Sequence, residues 1–325
     1  MIALSKLSVV MQGDVRSVTL DAIKSVRKFF PGAHLIFSTF EGESCGEIYG
    51  LVDEIILSKD PGPLVSFVKA DSAPPNNINR QLVSTNAGLA RVDREFVLKC
   101  RSDCVFESAG ALDFFAEDKG YSCDRLLVCS FFTRHPRGLS CYLFHVSDWF
   151  LLGKTNKVKD FFSVGLMSND EARWFESKSH ERWSTYAAKR FRARFTPEQY
   201  FTVNMARSLG YKVPSYLNER NPELVRDYEL FLANEVIVAE PCRLGFFVGK
   251  YSDIINSLYL KIDCLGFDDW RALHASHPGS GRKNSRVGCG AVFFAWVRVL
   301  ANLNRHLIVW LVLNFKAVKK VLGIR

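Results

Sequence analysis

The chain has 325 residues, 48 % of them apolar, and a net charge of +9. That length suits one large domain or two ordinary ones, and that apolar fraction supplies a core and excludes a disordered chain. Ten basic residues and no acidic one follow Asp269, so the first 270 residues hold a net −1 of the +9, which excludes a nucleic-acid-binding body with a broad basic face.

The chain enters a strand-like run at 7–11 directly, with no leader-like segment or cleavage site ahead of it. The polar loop Gln12-Gly13-Asp14 follows. Leu20, Ile23, Val26, Phe29 and Phe30 recur at helical spacing and predict a helix over 17–30, closed by Pro31-Gly32. Strands are expected over 34–38 and 54–58. A helix is expected over 76–92, on the apolar positions Ile78, Leu82, Val83 and Leu89. Residues 96–100 read as a buried strand, 109–115 as a helix and 125–130 as a strand. Alternation of this kind predicts an α/β fold with a mostly parallel sheet and helices on both faces. Residues 142–153 show two strand-like halves around a polar centre. Residues 170–195, charged and aromatic, read as a variable surface segment able to close over a site. Thr196-Pro197-Glu198 opens a helix running to about 209, with Thr196 as cap and Pro197 in the first turn. Residues 235–239 read as a late strand. Nine cysteines at irregular spacing, with no C-x-x-C, predict reduced thiols in the cytosol.

Open α/β sheets bind ligands beyond the carboxyl ends of their strands. Three polar loops follow strands here: Gln12-Gly13-Asp14, Arg101-Ser102-Asp103, and 131–138 with Arg134, His135 and Arg137. Asn79 and Arg80 stand where a helix opens, a place that attracts phosphate. Arg80 and Arg101 suit bidentate contacts to a diphosphate, and Asp103 suits a divalent ion bridging two phosphates. Arg101 and Asp103 equally suit a plain surface ion pair. The glycine patterns of dinucleotide-binding folds, P-loop enzymes and α/β-hydrolases do not occur.

Six blocks, "SVVMQGDV" (8–15), "NNINRQLVSTNAGL" (76–89), "FVLKCRSD" (96–103), "CSFFTRHPRG" (129–138), "FHVSDWFLLG" (144–153) and "RFTPEQYF" (194–201), resemble in order those of the WavE-type lipopolysaccharide synthesis family. The resemblance spans about residues 5–245 and implies a GT-A-like glycosyltransferase that uses a nucleotide-sugar donor and usually a divalent metal (Mn or Mg). "RSD" stands where such enzymes carry Asp-x-Asp. Arg101 replaces the first carboxylate and leaves Asp103 as the metal ligand, so Arg101 itself can offset phosphate charge. "TPEQ" implies Glu198 as the general base on the acceptor hydroxyl, with Asp148 as its rival. Gln12, Gly13, Asp14, Asn79, Arg80, Arg101 and Asp103 are expected to bind the donor. Arg134, Arg137, His145 and Trp149 are expected to bind the acceptor. Glu198 also suits a plain first-turn residue, and Trp149 and His145 suit the core.

The last 39 residues hold no uncharged run of the ~20 residues that a spanning helix needs. At about 100° per residue, Arg298, Arg305, Lys316, Lys319 and Lys320 share one arc, and Trp296, Leu303, Leu307, Leu311, Val318 and Val321 the opposite one. That pattern fits a helix lying on an anionic membrane. The expected organisation is a glycosyltransferase domain over 1–270, a linker over 271–286 and amphipathic membrane-surface helices over 287–325. The expected activity is inverting transfer from a nucleotide-diphosphate sugar to a lipopolysaccharide or other surface glycan, at the inner face of the cytoplasmic membrane, with no nucleic-acid partner. A nucleotidyltransferase on a similar sheet, or a non-catalytic glycan- or membrane-binding module, are the alternatives.

Overall fold

The computed structural model describes residues 2–70, 73–116, 121, 122, 124–140, 142–249, 257–277, 296–300 and 307. In chain order the elements are β1 (Leu7–Gln12), α1 (Thr19–Phe29), β2 (His34–Phe40), β3 (Glu54–Ser58), α2 (Ile78–Ala90), β4 (Phe96–Arg101), β5 (Val105–Phe106), α3 (Gly110–Asp113), β6 (Leu126–Cys129), β7 (Phe150–Lys154) and α4 (Thr155–Phe161). Then follow α5 (Asn169–Ala172), α6 (Trp174–Ser177), α7 (Tyr186–Lys189), α8 (Pro197–Ser208), α9 (Pro222–Asn234), β8 (Val236–Ala239), α10 (Pro241–Leu244), β9 (Phe246–Phe247), α11 (Leu258–Asp263) and α12 (Phe267–Ser276).

Seven strands form one sheet in the order β3-β2-β1-β4-β7-β6-β8. Within it β7 alone runs antiparallel to its neighbours, β4 and β6. All six residues of β1 are buried, which requires cover on both faces. α2 supplies some of that cover at unusually close range. A Cβ on Gly88 would sit 2.6 Å from Val10 Cγ1, so only glycine lets this helix rest so near the central strand.

One expectation changes. Only the second half of 142–153 is a strand. The first half is irregular, yet Tyr142, Leu143, Phe144 and Val146 are buried, because they pack under helices. Phe144 lies 5.0 Å from Tyr228 and 5.8 Å from Phe231 between ring centroids, both on α9. Residues 170–195, expected as a surface segment, are mostly exposed or half-buried, and they are also structured. They carry α5 to α7 and close a small apolar cluster of Tyr142, Phe175, Ala188 and Leu217.

α9 and α12 pack on the β8 edge. Trp270 is fully buried and its Nε1 donates to the Leu232 carbonyl at 2.9 Å, so α12 crosses the boundary expected at 270. Most of the linker and tail lies outside the described residues. Arg298, placed by its spacing on the basic arc of a membrane-surface helix, is 3 % exposed. Its Nε donates to Ile262 O at 3.0 Å, and its Nη1 donates to Asp269 at 3.1 Å. Among the described residues no helix is long and apolar enough to cross a membrane.

Candidate active site

The pairing of Gln12 with Arg101 ends β1 and β4 side by side. Gly13 then turns with φ 136°, where L side chains are strained, and a Cβ there would lie 2.7 Å from Ser102 Oγ. The two loops are laced together. Ser102 N donates to Gln12 O at 2.9 Å, and Ser102 Oγ to Asp14 O at 2.8 Å.

On this base Arg101 Nε and Nη2 donate to the two oxygens of Asp103, at 2.8 and 2.7 Å. Arg16 Nη1 reaches Asp103 Oδ2 at 3.4 Å, and its Nη2 reaches Asp14 Oδ2 at 3.2 Å. The cation and carboxylate that end this strand are therefore partners of each other. Burial raises the Asp103 carboxyl, but the hydrogen bonds and charge of Arg101, with Arg16 behind them, outweigh it and hold Asp103 below its ordinary value. The Arg101 guanidinium also lies 4.2 Å from the centroid of the Trp149 ring.

Strand reversal brings the second half of the site alongside. The chain leaves β6 at this same edge and returns to it to begin β7, so the loop between them lies over the sheet's carboxyl edge. Two of its residues, Phe132 and Phe144, take φ values of 68° and 51°. Non-glycine residues rarely adopt these, and they mark a loop held in a costly shape. Thr133 Oγ1 accepts from Ser147 N at 3.0 Å, and His145 O accepts from Arg134 N at 2.8 Å.

α8 locks onto this loop through Gln199, whose Nε2 donates to Leu143 O and Leu217 O at 2.8 and 3.1 Å. Thr196 caps the helix by accepting from Gln199 N. The first turn thereby sets Glu198 Oε2 3.7 Å from His145 Nε2. His145 Nδ1 donates to the Phe132 carbonyl at 2.8 Å. Burial, reinforced by the nearby charge of Arg134, pushes His145 well below its ordinary value and keeps it neutral. Burial likewise pushes Glu198 up to about 8, and the charge of Asp148 adds to the rise. Asp148 is held from two sides. Its carboxylate accepts from Gln81 Nε2, and its carbonyl from the wholly buried Lys99 Nζ at 2.7 Å.

The expected site residues thus fall into two sets and some outliers. Gln12, Gly13, Asp14, Arg101 and Asp103 share the strand tips with Trp149. Asp148, His145 and Glu198 gather beside them with Arg134, which is ion-paired with Asp263 and stands 5.3 Å from the Phe132 ring centroid. Arg80 is not joined to Arg101 and Asp103: its Nε and Nη2 grip Asp60 at 2.8 and 2.6 Å. Asn79 is buried with its amide clamped on the Met167 backbone, at 3.0 and 2.8 Å. Arg137 points to Glu229 at 3.0 Å. Sequence reasoning passed over Arg16 and Lys99, and placed Gln81 only in the polar group that opens α2. A lysine inside the otherwise apolar run 96–100 was a usable signal, since a buried cation needs a partner.

Asp103, the expected metal ligand, does not fit a divalent cation here. Both its oxygens are taken by guanidinium groups, and among the described residues no three His, Cys, Asp or Glu side chains gather to hold a metal ion.

Residues 7–287 match the family model described as WavE lipopolysaccharide synthesis. The chain belongs to that family. The WavE match covers all the residues of both sets, so the family expected from the six sequence blocks is the one found. No curated protein matches the chain. Among solved structures, a mannosyltransferase from Pyrobaculum calidifontis in complex with GDP-Man and Mn2+ is similar at TM-score 0.38 and 9 % identity, over 98 % of this chain and 78 % of that one. The 4-diphosphocytidyl-2C-methyl-D-erythritol synthase of Anaerococcus prevotii gives 0.33 and 8 %, over 62 % and 97 %. An active-site mutant of LgtC gives 0.31 and 15 %, over 52 % and 63 %. At these TM-scores the likenesses assign no activity to the WavE-family chain.

Proposed function

We propose that this chain is a nucleotide-sugar-dependent glycosyltransferase of lipopolysaccharide synthesis, with its active site along the carboxyl edge of the sheet. The observation that carries the reading is the meeting of two unlike charge sites on that edge. One is a pair of arginines, Arg16 at the surface and Arg101 mostly buried beside it. The other is a carboxyl, Glu198, whose proton affinity is raised into the neutral range. Sugar transfer needs both. An acceptor hydroxyl attacks the anomeric carbon and a new C–O bond forms. The bond from that carbon to the donor's phosphate oxygen breaks, and the diphosphate leaves with the electron pair. The acceptor's proton goes to a base.

Glu198 takes that proton, and Asp148 sets how tightly it is held. A base on the acceptor side suits a single displacement with inversion. Gln12, Gly13 and Asp14 line the donor's nucleoside, and His145 and Arg134 line the acceptor. Purified protein offered UDP-, GDP-, CDP- and ADP-linked sugars with lipopolysaccharide is expected to transfer one of them. The matching nucleoside diphosphate should raise the melting temperature, because a ligand that binds only the native state stabilises it. If none of the four diphosphates does so, the donor assignment is wrong.

The same reading puts the enzyme on an anionic membrane surface at the cytoplasmic face. Trp296, Val299, Leu300 and Leu307 are 67, 55, 60 and 54 % exposed, while Arg298 turns inward. Apolar groups facing out of a strongly basic segment suit the lipid interface. Removing 287–325 should release the protein from anionic vesicles, and continued binding would defeat this part.

A further inference from the structure

We propose that the tips of β1 and β4 form an anion seat that holds a nucleoside diphosphate through Arg101 and Arg16 without a divalent cation, and that Asp103 is its built-in counter-ion. This rests on the donor reading above and specifies how the donor is held.

Asp103 accepts two parallel N–H bonds from Arg101, the side-by-side geometry that guanidinium offers to carboxylate and phosphate alike. Arg16 closes on the same carboxylate from the other loop, and joins it to Asp14. The Asp103 carboxylate therefore occupies the place where phosphate oxygens would be forked.

The side chain of Asp103 is 7 % exposed, that of Arg101 28 %, that of Arg16 42 % and that of Asp14 54 %. An arriving anion meets Arg16 and Arg101 above the Asp103 carboxylate, with the Asp14 carboxylate at the rim beside Arg16. Arg101 Nη1 has no hydrogen-bond partner among the described residues. The Trp149 ring behind the guanidinium narrows its freedom to turn, which keeps the outward edge in place. A divalent cation at Asp103 would have to displace one or both guanidinium groups and then sit among like charges. Arginines already supply the positive charge that such an ion would bring.

The two roles for Asp103 give opposite signs. A metal ligand is needed for diphosphate binding, whereas a counter-ion competes with it. The test is calorimetric titration of the full chain with UDP, GDP, CDP and ADP, in EDTA and again in manganese. One of them is expected to bind with the same affinity in both. D103N should then bind it about tenfold more tightly in EDTA, and R101Q and R16Q each about tenfold more weakly. Arg16 lies at the surface, so R16Q keeps the test alive should D103N fail to fold, which a thermal melt will show. Binding that appears only with manganese and vanishes in D103N overturns the inference and leaves the glycosyltransferase reading standing. Unchanged affinity in D103N and R16Q also overturns it. No binding in either medium removes the donor reading itself.

Discussion

Asp103 and Glu198 are carboxylates at the same edge of one sheet, and their surroundings treat them in opposite ways. Asp103 is forked by Arg101 and touched by Arg16, so its charge is fixed despite burial. Glu198 faces a neutral imidazole and a second carboxylate, and is pushed up to about 8. Burial acts in the same direction on both. The partner decides whether the group becomes a permanent charge or a carrier of protons. A transferase needs one region of each kind, since the diphosphate leaves as an anion while the acceptor sheds a proton.

The largest expected effect separates the two regions directly. E198Q should cost about 10²- to 10⁴-fold in kcat, the usual worth of a general base, while nucleoside diphosphate affinity stays at its wild-type value. Equal loss of affinity in E198Q and R101Q would show that the regions are one. Next comes pH. The transfer rate should rise with pH through about 8, as Glu198 loses its proton. D148N should move that midpoint lower by removing a neighbouring negative charge.

Stability should follow opposite limbs. The folded-state value of Glu198 is raised, so its contribution is fully present below about 4.5 and is lost as pH rises through about 8. Melting temperatures of E198Q should lack that decline between about 4.5 and about 8. Asp103 is held below its ordinary 3.8, so its contribution is present above that value and is lost as pH falls. D103N should lack the acid decline.

A smaller effect is expected from K99M. It leaves the Asp148 carbonyl without its donor, at about 1–3 kcal/mol of stability by chemical denaturation. As a positioning residue for Asp148, Lys99 should also shift the pH midpoint, which a merely structural lysine would not. Least of all is R80A. Its bond to Asp60 lies at the surface and is worth about 0–1 kcal/mol. Its diphosphate affinity should remain much closer to wild type than that of R101Q.

The local elements of the site were readable from residue order alone. β1, α2, β4 and α8 fall within two residues of the spans their periodicity and caps predict, because those signals act within a turn or a pleat. α9 was not among the expected elements, although Asn221 caps it and Pro222 fills its first turn, the same signals as Thr196-Pro197. What order could not supply is the pairing. Arg16 meets Asp103 across 87 positions, Gln81 meets Asp148 across 67 and Lys99 meets it across 49. The capture of Arg80 by Asp60 and of Asn79 by Met167 was hidden for the same reason. The run 142–147 misled because it is apolar for a loop's reason: it lies beneath α8 and α9.

The reversed strand β7 has a further bearing on how this chain tolerates change. Cys100 stands opposite Phe150 in the β4–β7 ladder, so Asp148 and Trp149 sit just ahead of a pleat whose faces alternate residue by residue. Inserting or deleting one amino acid between 146 and 150 would exchange the side chains between the two faces of the sheet, both of them buried there. It would turn the aromatic backing of Arg101 and the neighbour of Glu198 away together. Length at this junction is therefore under tighter constraint than composition, and natural variation in the surrounding loop is expected to come as substitutions rather than gaps.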